Sequence, residues 1–288
     1  MKAKLLLLCC VLFSLSCFAG ETEFVQDVVY GKGGDESLKL DIYRPKDKSS
    51  KPMPAVVFMH PGGWTQGDKS ESGGKTGVKN VFLNSLASKG YFCVSINYRL
   101  APKNIFPAQI EDSKCAVRFL RAKAKEYNID PERIAARGGS AGGHLAALVG
   151  TAGDVKEFEG TGGWEGFSSK VQAVIDLCGP VDLYKWKNQS SIGNMLIDLF
   201  GGASPKYKDA IEKASPIKHI NKDTPLFLLI HGDKDNIVSI KQSQAFAEAL
   251  TKAGVEVNFI TVKGGPHGAR ANNQETIEEE FLNKWLKK

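Results

Sequence analysis

Short apolar runs alternate with longer amphipathic segments along the chain from about residue 25 to its end. The short runs are rich in β-branched and aromatic residues, which is typical of strands. The predicted strands are Val25–Tyr30, Leu38–Tyr43, Ala55–Met59, Tyr91–Asn97, Arg133–Arg137, Val171–Leu177, Leu226–Ile230 and Val255–Val262. Ala55–Met59 is apolar without a break, which indicates a strand that is buried on both faces.

Between the strands, apolar residues recur at helical spacing. One such stripe predicts a helix over residues 110–127 and consists of Ile110, Val117, Leu120, Ala124 and Tyr127. Ser239-x-x-Gln242 reads as a capping box that begins a second helix, and Gly254 ends it. A last helix is predicted over 274–287.

The alternation of strands and helices predicts an α/β fold with a mostly parallel central sheet and helices on both faces. In such folds the functional site lies at the carboxyl ends of the strands. No Pro- or Ser-rich linker interrupts the pattern, so residues 20–288 are predicted to form one domain. The irregular stretches 154–170 and 182–216 are expected to form a lid or a pocket wall.

The N-terminus has the pattern of a secretory signal peptide over residues 1–19. Lys2 and Lys4 precede the apolar run Leu5–Leu15, which is too short to span a bilayer. Cleavage after Ala19 predicts a secreted or periplasmic protein. The alternative is a lipoprotein that is cleaved before Cys17 and anchored through it.

Composition then excludes several classes of protein. The chain has 288 residues, 42% of them hydrophobic, and a formal charge of +6, which is typical of a globular protein. No stretch concentrates basic residues, so no nucleic-acid partner is expected. Removal of residues 1–19 takes away two lysines, which lowers the charge to +4. It also leaves three cysteines, Cys93, Cys115 and Cys178, which allow at most one disulfide; Cys93 and Cys115 are expected to be buried thiols.

The strongest chemical signal is Gly138-Gly139-Ser140-Ala141-Gly142, which follows a predicted strand and opens a helical run. This is the context of a nucleophile elbow, in which a sharp turn exposes the serine and its neighbours must lack side chains. The other interpretation, a glycine-rich turn without chemistry, does not account for its position after a strand.

A catalytic serine needs a base and an acid that orients the base. In the order Ser, acid, His, the acid falls in the loop His231-Gly232-Asp233-Lys234-Asp235, where the residues alone do not choose between Asp233 and Asp235. Of the five histidines, only His267 follows both the serine and this loop. His144 is expected to be packed or hydrogen-bonded.

The third requirement is a set of backbone N–H groups that stabilise the oxyanion of the tetrahedral intermediate. Ala141 supplies one as the residue after the serine. The glycine-rich loop His60-Pro61-Gly62-Gly63-Trp64 follows a predicted strand, and Pro61 has no N–H. Gly62 and Gly63 are therefore the predicted donors.

These motifs together resemble the α/β hydrolases of the esterase/lipase superfamily, close to the acetyl- and feruloyl-esterase group called BD-FAE-like. The resemblance covers nearly all of residues 25–288. Besides the elbow and the two loops, it rests on the segments Asn97–Pro102, Phe106–Ala108, Asp130–Ile134, Cys178–Leu183, Ala214–Ile217, His231–Val238 and His267-Gly268.

The resemblance implies an α/β-hydrolase fold and a triad of Ser140, Asp235 and His267, with Asp233 as a turn residue. It also implies a secreted carboxylic-ester hydrolase that acts on short-chain or aryl esters, such as acetyl or feruloyl groups on polysaccharide, without a cofactor or a metal. The alternatives are a serine peptidase, an aryl-amide or formamide hydrolase, and a binding protein on an inactive hydrolase fold. No membrane span is expected, and the sequence does not indicate an oligomeric state.

Overall fold

The computed structural model describes residues 20–47, 49–70, 80–186, 193–202 and 207–287. The predicted signal peptide of residues 1–19 and parts of the stretch 182–216 lie outside these residues. In the described part, no helix is both long and apolar enough to cross a bilayer.

One sheet organises the described residues. Its strands are β1 (Thr22–Gly33), β2 (Glu36–Pro45), β3 (Met53–Met59), β4 (Phe92–Ile96), β5 (Ile129–Gly139), β6 (Ala173–Leu177), β7 (Leu226–Gly232) and β8 (Val257–Val262). Their order across the sheet is β1-β2-β4-β3-β5-β6-β7-β8. The hairpin β1–β2 is antiparallel and joins β4 in antiparallel pairing, whereas all pairs from β4 to β8 are parallel. All eight predicted strands are confirmed.

Helices cover both faces of the sheet. They are α1 (Val81–Ser88), α2 (Ala108–Ala122), α3 (Ala124–Tyr127), α4 (Ala141–Thr151), α5 (Leu183–Trp186), α6 (Gly193–Phe200), α7 (Tyr207–Lys213), α8 (Lys241–Lys252) and α9 (Gln274–Leu286). Along β3, Val57 and Met59 belong to the core beneath α2, α4 and α8, and Val56 and Phe58 belong to the core beneath α1 and α9. The prediction of a strand buried on both faces is confirmed.

The prediction of one helix over 110–127 is wrong in one detail, because the segment forms two helices, α2 and α3, that meet at Lys123. Lys123 leaves helical geometry at φ −95° and ψ 8°. Beyond the break, the ring of Tyr127 stacks on Phe92 at 5.1 Å, so α3 packs on strand β4.

The predicted capping box of α8 is also wrong. The Gln242 side chain does not return to Ser239; its Oε1 accepts hydrogen bonds from the N–H groups of Val181 and Asp182, at 3.0 and 2.7 Å. Gln242 therefore anchors the loop after β6, and this tertiary contact outweighs the local cap. The other end is as predicted, since Gly254 follows the helix with φ +78°.

Candidate active site

A serine in a strained conformation connects β5 to α4. Ser140 has φ 53° and ψ −120°, which non-glycine residues rarely adopt. A Cβ on Gly138 would lie 2.1 Å from the carbonyl oxygen of Gly142, and one on Gly142 would lie 2.1 Å from that of Met59. The Ser140 N–H donates to the carbonyl of Leu177 at 2.8 Å and holds the turn against β6. Both glycines are therefore required sterically, for the reason that the sequence pattern indicates.

Three side chains from three strand ends form one line of hydrogen bonds. Ser140 follows β5, Asp235 lies in the loop after β7 and His267 lies in the loop after β8. His267 Nε2 is 2.9 Å from Ser140 Oγ, and His267 Nδ1 is 2.7 Å from Asp235 Oδ2. Asp233 points elsewhere, because its Oδ1 accepts a hydrogen bond from the N–H of Gly264 at 2.6 Å. The structure thus distinguishes the two carboxylates by their contacts.

The carboxylate of Asp235 is buried among donors. Its Oδ1 accepts from the N–H groups of Ile237 and Val238 at 2.9 and 2.8 Å, and its Oδ2 accepts from His231 Nε2 at 3.0 Å as well as from His267. Burial by itself raises the pKa of Asp235, but these hydrogen bonds lower it more, so the pKa lies well below the ordinary 3.8. Asp235 stays ionised and accepts only.

His231 is a second histidine at the site, to which the order Ser, acid, His gives no role. Its Nε2 faces two acceptors, Asp235 Oδ2 and the carbonyl of Val238 at 2.8 Å, so Nε2 carries the proton. Its Nδ1 then accepts from the hydroxyl of Ser243 at 2.7 Å. The available signal was the four-residue spacing of His231 and Asp235 across the turn that follows β7.

His267 is held by a carboxylate on one side and lies beside a thiol. Partial burial lowers the pKa of its imidazole, but the hydrogen bond with Asp235 and the contact with Cys178 raise it more, so the pKa lies above the ordinary 6.5. The imidazolium is therefore the stabilised form, which suits a base that must hold a proton between two steps.

The glycine-rich loop after β3 offers two backbone donors. Gly62 and Gly63 have φ +121° and +59°, and a Cβ on Gly62 would lie 2.1 Å from the carbonyl of Gln66. Within the described residues, neither glycine N–H has a hydrogen-bond acceptor. Both glycines line the same cavity as Ser140 and Ala141, the first residue of α4. All three predicted oxyanion donors are thus grouped around the serine.

Two neutral histidines hold this loop in place. The His60 ring stacks on Tyr98 at 4.1 Å and its Nδ1 donates to the carbonyl of Pro61 at 2.7 Å. His144 accepts from the indole N–H of Trp64 at 3.2 Å and donates to the carbonyl of Ala214 at 2.7 Å. Burial lowers the pKa of each imidazole to about 4. The prediction that His144 is a packed, hydrogen-bonded residue is confirmed.

Two cavities open on either side of Ser140 and His267. The oxyanion-side cavity, about 380 Å³, is bounded by Gly62–Gln66, Trp186 and Met195. The histidine-side cavity, about 230 Å³, is bounded mainly by Phe58, Phe82, Arg137 and the segment 268–270. Ser140 and His267 line both cavities, so two separate spaces adjoin the nucleophile and the base.

Of the two irregular stretches, one lies at the site and the other does not. Trp186 and Met195, from 182–216, line the oxyanion-side cavity. The stretch 154–170 lines neither cavity beside Ser140. It packs instead on the hairpin and α2, where Trp164 donates to the carbonyl of Tyr30 at 2.6 Å. The expectation of a lid or pocket wall is therefore wrong for 154–170.

The described residues contain one group of three side chains that resembles a metal site, formed by Cys178, Asp235 and His267. The facing atoms of Asp235 and His267 are already hydrogen-bonded to each other, and His267 also faces Ser140. The arrangement therefore supports proton transfer. Cys93, Cys115 and Cys178 are buried free thiols, and the expectation for Cys93 and Cys115 is confirmed.

Comparison with known proteins finds esterases. Esterase LipC of Mycobacterium tuberculosis is 31% identical over 243 residues, which are 82% of this chain and 58% of LipC, so the chain spans less than two thirds of that relative. The solved truncated form of a carbohydrate esterase from gut microbiota is 31% identical with a TM-score of 0.76, over 92% of this chain and 97% of the other. Thermogutta terrifontis esterase 2, solved in a form phosphoramylated by tabun, is 27% identical with a TM-score of 0.73, over 94% and 97% of the two chains.

The BD-FAE family model matches residues 40–250 of this chain. That range contains the glycine-rich loop, Ser140 and Asp235, and His267 follows it in the chain. The chain belongs to the BD-FAE family, and its sheet has the architecture of the α/β-hydrolase esterases.

Proposed function

We propose that this protein is a serine hydrolase of carboxylic esters. The observation that carries the proposal is the continuous hydrogen-bonded line from Asp235 through His267 to Ser140, beside glycine N–H groups that have no acceptor in the part of the chain that the structure describes. A base contacts the nucleophile, an ionised acid orients the base, and donors lie where negative charge develops.

In the first half of the reaction, Ser140 Oγ attacks the ester carbonyl carbon and its proton moves to His267 Nε2. The carbonyl oxygen becomes an oxyanion, which the N–H groups of Gly62, Gly63 and Ala141 stabilise. The carbon–oxygen bond to the alcohol then breaks, and the leaving oxygen takes the proton from His267 Nε2. An acyl-serine and a free alcohol result.

In the second half, a water molecule gives a proton to His267 Nε2 and attacks the acyl carbon. The tetrahedral intermediate uses the same donors and collapses as the bond to Ser140 Oγ breaks. Ser140 recovers its proton from His267, and the carboxylic acid leaves. Asp235 stabilises the imidazolium in both halves and does not itself take a proton.

For the substrate, we propose short-chain or aryl esters, including acetyl or feruloyl groups on saccharides. The size of the oxyanion-side cavity, about 380 Å³, and its aromatic lining by Trp64 and Trp186 support this class. The solved relative that is a carbohydrate esterase supports the saccharide as the alcohol. A panel from p-nitrophenyl acetate to the decanoate, with acetylated xylan and methyl ferulate, is expected to show a maximum at short or aryl esters.

The catalytic role of Ser140 is tested with a fluorophosphonate probe and p-nitrophenyl acetate. Wild-type protein and Ser37→Ala, which changes an exposed serine on β2, are expected to be labelled and active. Ser140→Ala is expected to be neither. Equal turnover by Ser140→Ala would contradict the mechanism, and faster turnover of anilide or formamide substrates than of esters would favour the amide hydrolase.

We also propose export, from the signal-peptide pattern of residues 1–19. The test is expression of the full chain in an exporting bacterial host, with N-terminal sequencing of the processed protein. A mature chain that begins at Gly20 and is unaffected by Cys17→Ser supports secretion. A lipid-modified, membrane-associated chain that Cys17→Ser releases would support the lipoprotein instead, and an unprocessed chain would contradict both.

A further inference from the structure

The histidine-side cavity is lined by apolar rings and by two arginines. The rings of Phe58 and Phe82 form part of its lining, and two arginines, Arg137 and Arg270, line it as well. No carboxylate is among the described residues that line this cavity. The sign of the charge at its rim therefore depends on whether the two arginines are neutralised by acids outside the lining.

Arg137 is neutralised. Its Nε donates to Glu278 Oε2 at 2.6 Å and its Nη2 to Oε1 at 3.1 Å, in a buried pair. Its guanidinium also lies 5.2 Å from the centre of the Phe58 ring and 4.4 Å from that of Phe82. Arg137 therefore joins β5 to α9 and contributes no free charge to the cavity.

Arg270 is different. It lies three residues after His267, its side chain is exposed, and no carboxylate among the described residues forms an ion pair with it. Its backbone position is set by the histidine loop, in which the N–H of Ala269 donates to the carbonyl of Pro266 at 3.0 Å. Arg270 thus lines an apolar cavity three positions after the catalytic histidine, and its guanidinium has no carboxylate partner among the described residues.

We propose that Arg270 binds a carboxylate of the substrate, so that the protein prefers esters that carry an anionic group near the scissile bond. This inference rests on the ester hydrolysis proposed above. Guanidinium pairs with carboxylate through two parallel hydrogen bonds, and it does so more strongly beside apolar walls that exclude water. A uronic acid that carries the ester on a hydroxyl, or a half-ester of a dicarboxylic acid, has the required chemistry.

The geometry favours the alcohol as the carrier of this carboxylate. The leaving oxygen must reach His267 Nε2 to receive its proton, and the cavity lined by 267–270 lies on that side of the serine. The oxyanion-side cavity then receives the acyl group. Substrates with the carboxylate on either arm distinguish the two carriers.

The test compares kcat/KM for matched pairs of esters. The alcohol pair is an O-acetylated methyl glucuronoside and the corresponding methyl glucoside, and the acyl pair is p-nitrophenyl hydrogen succinate and p-nitrophenyl butyrate. The wild type is expected to prefer the anionic member of one pair by about tenfold, the low end for a hydrogen bond to a charged group. The preference is expected to shrink in 0.5 M NaCl because salt screens an exposed charge.

The variants are Arg270→Gln, Arg270→Lys and the control Lys263→Gln, which removes an exposed charge that does not line the cavity. The ratio is expected to fall toward one in Arg270→Gln, to survive in part in Arg270→Lys and to be unchanged in Lys263→Gln. Turnover of p-nitrophenyl acetate without anionic preference, or a preference that Arg270→Gln retains, would overturn this inference and leave the ester hydrolase intact. No turnover of any ester would overturn both.

Discussion

Replacement of Asp235 by Asn changes one oxygen to an NH2 group, and the structure determines which one. The N–H groups of Ile237 and Val238 both donate to Oδ1, so the amide oxygen of Asn must stay there. The NH2 group then occupies the place of Oδ2, opposite His267 Nδ1 and His231 Nε2. A donor replaces an acceptor in front of both histidines.

The consequence for His267 is the wrong tautomer. Nδ1 must accept from the new NH2 group, so the proton moves to Nε2, which then faces Ser140 Oγ as a donor. His267 Nε2 can then no longer accept the proton of Ser140, although the side chains keep their positions. The same substitution in serine proteases lowers kcat by about 10⁴-fold, which corresponds to about 5.5 kcal/mol of activation free energy. Stability is affected separately: at His231 the new NH2 group faces a second donor, which is expected to lower the free energy of unfolding by ~1–3 kcal/mol.

The assay is kcat/KM with p-nitrophenyl acetate, together with urea unfolding of each variant. The matched control is Asp233→Asn, in which the amide oxygen can still accept from Gly264 N–H, so a loss of less than about threefold is expected. A comparable loss in both variants would show that the loop, and not the tautomer, determines activity. An Asp235→Asn enzyme within tenfold of wild type would refute the reasoning outright.

Three further predictions follow from single contacts. In the pH profile of kcat/KM, the acidic limb of the wild type is expected above pH 6.5 because the net effect on His267 is a raised pKa, and in Asp235→Asn it is expected to move to lower pH. Gly142→Ala is expected to lose about 3 kcal/mol or more in thermal unfolding, since its Cβ would lie 2.1 Å from a backbone oxygen, whereas Gly139→Ala, whose nearest atom is at 3.8 Å, is expected to fold. Burial raises the pKa of Asp176 from 3.8 to about 6, so its ionisation in the fold costs ~3 kcal/mol. The stability of Asp176→Asn relative to wild type is therefore expected to rise between about pH 4 and pH 6 and to be level above, as measured by urea unfolding at each pH.

Much of the site could be predicted because each part of it depends on residues that lie close together in the sequence. The nucleophile elbow is a five-residue motif in which the positions two residues before and after the serine have no room for a side chain and must be glycine. The catalytic groups follow strands that are recognised in the sequence as apolar runs. Parallel strands end at the same edge, so Ser140, Asp235 and His267 were expected to converge although 127 residues separate the first from the last. Their distances agree with that expectation.

The remainder depends on contacts between distant segments. Gln242 binds the loop after β6, 60 residues away, and no pattern around Ser239 indicates that the capping box gives way to it. Asp233 and Asp235 are two residues apart in one loop, and their contacts with the loop after β8 differ: the N–H of Gly264 donates to Asp233, whereas His267 donates to Asp235. The family resemblance implies Asp235 as the acid where the residue pattern alone leaves both open, and Asp235 is the carboxylate that contacts His267.

The histidine loop, which follows β8, positions the catalytic base and also carries the residue proposed to bind the substrate carboxylate. Its first part is fixed by Asp233 at Gly264, which aligns His267 with Asp235, and its last part carries Arg270 to the rim of the cavity beside the serine. Because Arg270 lies only three positions after the base, a shift of this loop that is large enough to change substrate preference would also move His267 Nε2 from its 2.9 Å contact with Ser140 Oγ. Substitution of the side chain at position 270 changes recognition without that movement. Specificity in this protein is therefore expected to vary through the identity of the rim residue, with the loop backbone held constant by the requirements of the triad.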